Sequence, residues 1–396
     1  LMNLKQIFIE QLCRYAKIST PSNPHSDTRP STQCQFNMQK ELIEELKSFP
    51  QVRLESTDTC LLYAFYNEQN TNERLVICTH MDISWEAPSD NIQPQIHTYD
   101  GNPIKLNGIT IEVDNVQPNS TIITSDGTTL LGGDDKAGVS IAVLLLKYLI
   151  HNKITDIPSL CFVFTPDEEI GHGTDNIDMQ KLRGNCTEVS GVTLDGRRKQ
   201  VTCDTFNAWS FRISCEGRPT HAGAAYKKMD CALFRMTQLI GDLRKLREPQ
   251  ESSGDQGYVL VNSAVLETKH SEVSGIIRSF STDEICEFKE KIEEICKLRL
   301  EKYSLQFFEQ YKNMKMFISD EMEEKFKGIC QKHQGVFKKF RGGTDGSLLS
   351  AKGLPTPDLW DGAANYHSIQ EYVVVEEALE ALQALGELIG IQIDLQ

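Results

Sequence analysis

Three short apolar runs, each followed closely by a histidine or by acidic residues, constrain the fold of this chain more than any other feature. They are Leu75–Thr79 before His80, Cys161–Phe164 before Glu168 and Glu169, and Val192–Leu194 before Asp195. Short continuous apolar runs are typical of strands that are buried on both faces of a helix-covered sheet. The carboxyl ends of parallel strands meet at one edge of the sheet, where ligands bind. The pattern therefore predicts a functional site at that edge.

A helix is predicted between the first two of these runs. Its apolar residues recur at helical spacing, at Val139, Ala142, Val143, Leu146 and Leu149. Asp134 and Asp135 stand at the entrance of this helix, after a Gly-rich turn. The order strand, helix, strand predicts an α/β domain with a mixed, mostly parallel sheet covered by helices.

The periodicity changes near Val201. A half-buried strand is followed by a helix, two strands, a charged helix and a last strand, at Trp209–Glu216, Lys227–Leu246, Tyr258–Val265, Glu272–Phe280, Thr282–Lys302 and Ser304–Tyr311. This order is the split βαβ, or ferredoxin-like, arrangement of a small α+β domain. We therefore predict that residues 204–312 form a domain inserted between two parts of the larger one, residues 1–203 and 313–396.

Composition narrows the choice of partners. The chain has 396 residues and a formal charge of -15 without a basic stripe, which argues against a nucleic-acid partner. The apolar stretch Ile141–Leu146 is far shorter than the roughly 20 residues that span a bilayer, so we expect no membrane helix.

The chain's beginning does not resemble a secretory signal, and its twelve cysteines contain no Cys-x-x-Cys pair. We expect reduced thiols and a cytoplasmic protein.

Each candidate site residue also has an ordinary structural interpretation, because short motifs often occur by chance. These interpretations are a turn at His80 and Asp82, a helix cap at Asp134 and Asp135, a solvated pair at Glu168 and Glu169, a turn at Asp195 and a loop histidine at His367. A shared site is favoured because four of the residues fall at predicted strand ends and Asp134 begins the helix between them. Two histidines and three carboxylates, one of them bridging, are suitable ligands for two divalent ions about 3.5 Å apart.

Six motifs together resemble those of the peptidase T branch, the aminotripeptidases, within the clan of dinuclear zinc exopeptidases and aminoacylases. They are Thr79–Asp82, Leu131–Gly138, Thr165–Gly171, Leu194–Gly196, Arg341–Gly346 and Asn365–His367. The resemblance covers nearly the whole chain. It implies that the larger domain is catalytic and that the inserted domain serves as a lid and in dimerisation. It also implies a cis peptide bond between Asp134 and Asp135.

The resemblance further implies how two zinc ions per chain would be held, with cobalt or manganese as substitutes. His80 and Asp195 would bind one ion, Glu169 and His367 would bind the other, and Asp134 would bridge them.

Two further residues receive roles in the reaction from the same resemblance. A hydroxide between the ions would attack the scissile carbonyl, and Glu168 would act as the general base and then protonate the departing amine. Asp82 would orient His80 through the second ring nitrogen of the imidazole.

Three more residues would take part, of which Arg341 belongs to the Gly-rich turn in the second part of the larger domain and His221 and Arg278 belong to the inserted domain. His221 is similar to a lid histidine that donates to the oxyanion in the partner subunit's site, so we expect a homodimer. Arg278 and Arg341 are similar to arginines that bind the terminal carboxylate of the substrate. The departures from the family pattern lie in the inserted domain, with Ala222 in place of a proline, Tyr226 in place of a lysine, and Ser279 and Ser281 in place of two aspartates.

The expected function is that of an aminopeptidase that releases the first residue of short peptides, above all tripeptides. One alternative is a dipeptidase or an N-acyl-amino-acid deacylase, which would use the same metals. A second is a non-catalytic protein that holds peptides in its cleft. A requirement for a free amino terminus and two following residues separates the expected function from the first alternative, and metal content separates it from the second.

Overall fold

The structure is a computed structural model that describes residues 2–70 and 72–395. The chain forms two compact units. The larger unit comprises Leu1–Cys203, Phe317–Lys338 and Thr344–Gln396, and the smaller comprises Asp204–Met316 and Lys339–Gly343. Within the described residues, no helix combines the length and the apolar character needed to cross a bilayer.

The α-helices of the described residues, in chain order, are α1 (Leu4–Ala16), α2 (Gln35–Leu46), α3 (Gly133–His151), α4 (Met179–Arg183), α5 (Ala232–Leu243), α6 (Thr282–Arg299), α7 (Asp320–Lys332), α8 (Asp345–Ala351) and α9 (Val375–Leu388). The strands are β1 (Arg53–Ser56), β2 (Leu62–Tyr66), β3 (Glu73–His80), β4 (Gln95–Thr98), β5 (Ile104–Leu106), β6 (Ile109–Ile111), β7 (Thr121–Thr124), β8 (Ser159–Thr165), β9 (Glu188–Gly196), β10 (Gln200–Val201), β11 (Asn207–Glu216), β12 (Tyr258–Leu266), β13 (His270–Ser279), β14 (Tyr303–Tyr311), β15 (Val336–Phe337), β16 (Asp358–Trp360), β17 (Ala363–Ala364) and β18 (Tyr372–Val374).

A six-stranded sheet of order β1-β2-β8-β3-β9-β16 forms the centre of the larger unit. The strands β8, β3, β9 and β16 are parallel to one another, whereas β2 pairs antiparallel with both β1 and β8. Every residue of β8 is buried, as its continuous apolar sequence predicts. The mixed, mostly parallel sheet expected from the sequence is confirmed.

Helices cover this sheet. The helix α3 is apolar on nearly all sides and packs against β3, β9, α1 and α9. A separate apolar cluster joins Val76 and Cys78 of β3 to Leu182 of α4 and Leu349 of α8. Burial on all sides is expected for a helix with so few polar positions. The packing fixes the entrance of α3, and with it Asp134, against the end of β3.

The larger unit also contains a second sheet, of order β17-β18-β7-β4, that the sequence analysis did not predict. All its pairings are antiparallel, and a small apolar cluster joins Ile122 and Tyr372 of this sheet to Ile111 of β6. This sheet matters for the site because the chain between β17 and β18 contains His367.

The smaller unit is built on a four-stranded antiparallel sheet of order β12-β13-β11-β14, crossed by α5 and α6. Alternate residues of β13 are buried, which is the pattern of a sheet with one covered face. The helix α6 begins after Ser281, whose side chain accepts the backbone N–H of Glu284 at 3.2 Å. The chain and strand orders are those of the ferredoxin-like layout, which is therefore confirmed.

Candidate metal centre

The carboxyl ends of three neighbouring strands bring the predicted residues to one edge of the central sheet. In the register of β3 and β8, His80 lies beside Thr165, and in that of β3 and β9, Cys78 lies beside Thr193. Asp195 follows two residues after Thr193 in β9. The edge predicted from the three apolar runs therefore exists, and it carries a histidine and an aspartate.

The first cluster at this edge comprises His80, Glu168 and Asp195, whose potential ligand atoms all lie within 4.8 Å of one another. His80 Nε2 is 3.9 Å from Asp195 Oδ1 and 4.0 Å from Glu168 Oε2. Glu168 thus lies as close to His80 as Asp195 does, although the resemblance gives it the role of a proton carrier rather than a ligand.

The second cluster comprises Asp134, Glu169 and His367, whose potential ligand atoms also lie within 4.8 Å of one another. His367 Nε2 is 2.7 Å from Glu169 Oε2 and 3.5 Å from Asp134 Oδ2. His367 has a left-handed backbone with φ of 58°, in the chain between the short strands β17 and β18.

Asp134 lies between the two clusters. Its Oδ1 is 3.0 Å from His80 Nε2, and its Oδ2 is 3.5 Å from His367 Nε2. Each of its oxygens therefore faces a different histidine. This is the position that a bridging carboxylate occupies in a two-metal site.

Burial and mutual repulsion disfavour ionisation of three of the four carboxylates in the clusters, whereas hydrogen bonds to His367 and His80 outweigh burial and lower the pKa of Asp134. Burial raises the pKa of Glu168 and of Asp195 well above their ordinary values, and the neighbouring carboxylates add to the effect. Burial, together with the charge of Asp134, raises the pKa of Glu169 to about 7 against the opposing effect of His367. Divalent cations would relieve this repulsion.

For the two histidines, by contrast, the surroundings favour the charged form. Burial lowers the pKa of His80, but hydrogen bonds to Asp134 and Asp82 outweigh burial and raise it well above 6.5. For His367 the bonds to Asp134 and Glu169 likewise outweigh burial and raise the pKa to about 12. The carboxylates thus create a strongly cation-attracting environment.

One buried oxygen supports the fit of a metal ion directly. Glu169 Oε1 is shielded from solvent and has no hydrogen-bond partner. An unpaired buried carboxylate oxygen is costly unless a cation accompanies it. The available donors are imidazole nitrogens and carboxylate oxygens, which suit zinc and similar divalent ions. The residues therefore fit the predicted pair of metal ions.

Asp82 holds the backbone that carries the two glutamates. Its carboxylate accepts the N–H of Glu168 at 3.0 Å and that of Glu169 at 3.2 Å. His80 Nδ1 lies 3.0 Å from the backbone oxygen of Asp82 and 3.4 Å from its Oδ1. The backbone oxygen is the nearer acceptor for the histidine, while the carboxylate orders the glutamates.

A buried aspartate that the sequence analysis did not single out fixes the same turn from the other side. Asp167 has φ of 58° and accepts hydrogen bonds from Ser31 N at 2.7 Å, Ser31 Oγ at 2.5 Å and Gln35 Nε2 at 2.7 Å. Directly after it, Glu168 and Glu169 begin a single turn of 3₁₀ helix. This network holds the turn without using either glutamate side chain.

Asp135 ties the entrance of α3 to β3. Its carboxylate accepts the N–H of His80 and the N–H of Gly138, both at 3.0 Å. The peptide bond between Asp134 and Asp135 is cis, as the resemblance implied. The carboxylate of Asp134 contacts the histidines of the two clusters, whereas the carboxylate of Asp135 binds backbone N–H groups inside the fold.

Two further glutamates contact the clusters and were missed from the sequence. Glu371 accepts the N–H groups of Leu131, Gly132 and Asp134 at 2.7 to 2.9 Å. Glu86 lies 2.7 Å from His367 Nδ1. Neither lies at the end of a predicted strand, so the pattern that identified the other residues gave no signal for them.

His221 and Arg278, predicted in the inserted domain, lie in the smaller unit, and so does Arg341, which was predicted in the second part of the larger domain. His221 is exposed and precedes a short 3₁₀ turn. Arg278 donates from Nη1 to the backbone oxygens of Trp209 and Ile277. Arg341 donates to the loop that contains Ser252, Gly254 and Gln256, and its guanidinium lies 5.0 Å from the ring centroid of Phe206.

Known proteins share both the sequence and the fold. The profile of "Peptidase family M20/M25/M40" matches residues 124–390. Peptidase T of Bacillus cereus (strain Q1) is 34% identical to this chain over an alignment of 410 residues, gaps included. The alignment covers 98% of this chain and 98% of that protein.

Two crystal structures show the same fold over almost the full length. Aminopeptidase PepT from Bacillus cereus ATCC 10987 has a TM-score of 0.71 at 19% identity and covers 97% of this chain and 98% of its own. A tripeptidase from Staphylococcus aureus subsp. aureus mu50 has a TM-score of 0.73 at 18% identity and covers 97% of each chain. From the profile match and the full-length relative, this chain belongs to peptidase family M20/M25/M40.

Proposed function

We propose that this peptidase is a dinuclear zinc aminopeptidase that releases the first residue of short peptides, with tripeptides as its preferred substrates. The observation that carries the metal part of the proposal is the pair of clusters on either side of Asp134. The substrate part is supported by the names of similar proteins, namely peptidase T, an aminopeptidase and a tripeptidase.

The proposed ligands are His80 and Asp195 for one ion, Glu169 and His367 for the other, and Asp134 for both. Bound ions would polarise the scissile carbonyl and lower the pKa of a water molecule. Asp134 Oδ1 and Oδ2 already face opposite histidines, which supports its proposed bridging role.

Glu168 is the proposed proton carrier of the reaction. It takes a proton from the attacking water and delivers the proton to the departing amine. Its side chain is 15% exposed, so it is neither sealed in the core nor free in solvent. Burial and the nearby carboxylates raise its pKa, which favours proton uptake once water gives up a proton. Asp82 assists by fixing the backbone of Glu168.

We also propose that the smaller unit contributes His221 to oxyanion stabilisation in a partner subunit and Arg278 and Arg341 to carboxylate binding. Arg341 now donates to Ser252, Gly254 and Gln256, so binding a substrate carboxylate requires these bonds to exchange. Mixing His221→Ala chains with Glu168→Ala chains should restore part of the activity. Verified mixed dimers without any recovery would contradict the role of His221 across subunits.

A cleavage screen tests the proposed function. Purified protein supplied with zinc, cobalt or manganese is given di-, tri- and tetrapeptides, each with a free and with an acetylated amino terminus. We expect release of the first residue, fastest from free tripeptides. Equal or faster hydrolysis of acylated amino acids or dipeptides would favour a deacylase or a dipeptidase. Peptide binding without cleavage under all three metals would indicate a non-catalytic binding protein.

A further inference from the structure

Glu86 belongs to neither cluster but contacts a member of one. Its Oε2 lies 2.7 Å from His367 Nδ1, and the two residues are 281 positions apart in the sequence. The other ring nitrogen, Nε2, lies 2.7 Å from Glu169 and 3.5 Å from Asp134. The imidazole is therefore held between Glu86 on one side and the cluster carboxylates on the other.

This arrangement determines which ring nitrogen can bind a cation. A neutral imidazole carries one N–H, so only one of its nitrogens offers a lone pair. When Nε2 of His367 binds a cation, the proton must reside on Nδ1, and Nδ1–H then donates to Glu86. A carboxylate in this place fixes the tautomer and the ring orientation and makes the ligand nitrogen more basic.

His80 shows the same geometry with a different acceptor. Its Nε2 lies 3.0 Å from Asp134, and its Nδ1 lies 3.0 Å from the backbone oxygen of Asp82. The acceptor for His80 is thus a backbone carbonyl in a buried environment, which no side-chain substitution removes. The acceptor for His367 is a side chain that can be replaced.

We propose that Glu86 is a positioning residue that holds His367 in its Nδ1–H tautomer and thereby strengthens cation binding by the cluster of Asp134, Glu169 and His367. This inference rests on the proposed function, since it requires that the cluster binds a cation. Glu86 is 55% exposed and His367 is 36% exposed, so solvent screens the interaction. We therefore expect an effect of about tenfold, the lower end of the range for such partners.

The experiment measures zinc affinity rather than turnover. Metal-free wild type, Glu86→Ala and Glu86→Gln compete for zinc with a chromophoric chelator, with Glu44→Gln as the matched control. Glu44 is an exposed glutamate near the end of α2 that forms an ion pair with Lys47, the residue that follows the helix. It is remote in sequence from the clusters. Circular dichroism verifies that each variant is folded, which the exposure of Glu86 favours.

We expect Glu86→Ala to weaken one of two zinc sites about tenfold and to leave the other within about twofold. Glu86→Gln should lose less zinc affinity than Glu86→Ala, because its amide oxygen still accepts a hydrogen bond from Nδ1–H of His367. Glu44→Gln should match the wild type.

Two results would overturn the inference, and they are distinguishable from each other. If the wild type binds two zinc ions and both Glu86 variants retain its affinity at each site, the positioning role is wrong while the proposed function stands. If the wild type binds no zinc, the proposed function fails and the positioning role fails with it.

Discussion

The carboxylate of Glu371 accepts the backbone N–H of Asp134 at 2.9 Å, although 237 residues separate them in sequence. The other carboxylate oxygen accepts the N–H groups of Leu131 and Gly132 at 2.8 and 2.7 Å. One buried side chain thus accepts three backbone N–H groups of the loop that presents Asp134. The position of Asp134 between the two clusters depends on a contact that closes only when the carboxyl-terminal part of the chain folds back.

Replacement of Glu371 by alanine should therefore destabilise the protein and weaken its metal site together. Three backbone N–H groups would lose a buried partner, and we expect a loss of about 3 kcal/mol in the free energy of unfolding. Urea denaturation measures this loss. Glu290→Ala, at an exposed position of α6, is the control and should change stability by less than about 0.5 kcal/mol. Wild-type stability in Glu371→Ala would contradict the role given to this carboxylate.

A glycine near the site should tolerate no side chain. A Cβ atom on Gly138 would lie 2.0 Å from Asp135 Oδ1 and 2.6 Å from the backbone oxygen of Leu194. Because one of these atoms is backbone and the other belongs to the buried Asp135, Gly138→Ala should lower the free energy of unfolding by roughly 2 kcal/mol or more.

Gly241 provides the matched control for that substitution. It lies in α5, and a Cβ atom there would meet nothing within 4 Å. Gly241→Ala should therefore raise stability by about 0.5 to 1 kcal/mol, because alanine favours a helix over glycine. If both substitutions changed the free energy of unfolding equally in urea denaturation, the contacts around Gly138 would not exclude a side chain, and the prediction would be wrong.

The proposed roles of Glu168 and Asp195 can be separated, although both lie in one cluster with His80. If Glu168 carries protons and Asp195 binds metal, Glu168→Ala should retain its ions and lose roughly 10² to 10⁴-fold in kcat. Asp195→Ala should lose both an ion and activity. Metal analysis together with steady-state kinetics distinguishes the role of proton carrier from that of metal ligand. Loss of one ion from Glu168→Ala would make Glu168 a ligand, and nearly full activity would reject it as the base.

Asp358 should make stability depend on pH. Burial raises the pKa of its carboxyl to about 7, against the opposing hydrogen bonds from Thr193 and Thr344. The unfolded chain ionises near the ordinary value of 3.8, so between 3.8 and 7 the unfolded chain binds fewer protons than the folded one. The contribution of Asp358 is therefore fully present below pH 4 and is lost as the pH rises to about 7.

The comparison of wild type with Asp358→Asn isolates this contribution from other titrating groups. Between pH 5 and pH 8 the wild type should lose roughly 3 kcal/mol of stability relative to the variant, since each pH unit between the two pKa values is worth about 1.4 kcal/mol. Urea denaturation of metal-free protein at both pH values measures the difference. Parallel pH dependence of the two proteins would show that Asp358 is ionised in the folded state.

The features that the sequence predicted well are those set by local pattern. The buried strands before His80, Glu168 and Asp195 are continuous apolar runs, and the entrance of α3 at Asp134 follows from helical spacing. The ferredoxin-like order of the smaller unit was also readable, although its first helix begins at Ala232 rather than at the predicted Lys227. Patterns of this kind need no knowledge of distant contacts.

The features that the sequence did not predict depend on distant contacts. The strand β7 (Thr121–Thr124) pairs with β18 (Tyr372–Val374), and both are too short for a periodic signal. Glu86 and Glu371 likewise meet the site only through residues more than 200 positions away. A single sequence does not reveal which exposed or apolar segments meet, so the second sheet, the contact of Glu86 with His367 and the contact of Glu371 with Asp134 emerged only from the structure.

The central claim is that Asp134 joins two cation sites, and metal stoichiometry tests it most directly. Metal-free protein is dialysed against buffered zinc, and bound zinc per chain is measured by atomic emission for wild type, Asp134→Ala and the exposed control Asp58→Ala. We expect about two ions per chain for the wild type and the control, and less than one for Asp134→Ala. A wild type without bound zinc, or an Asp134→Ala protein that still holds two ions, would contradict the account.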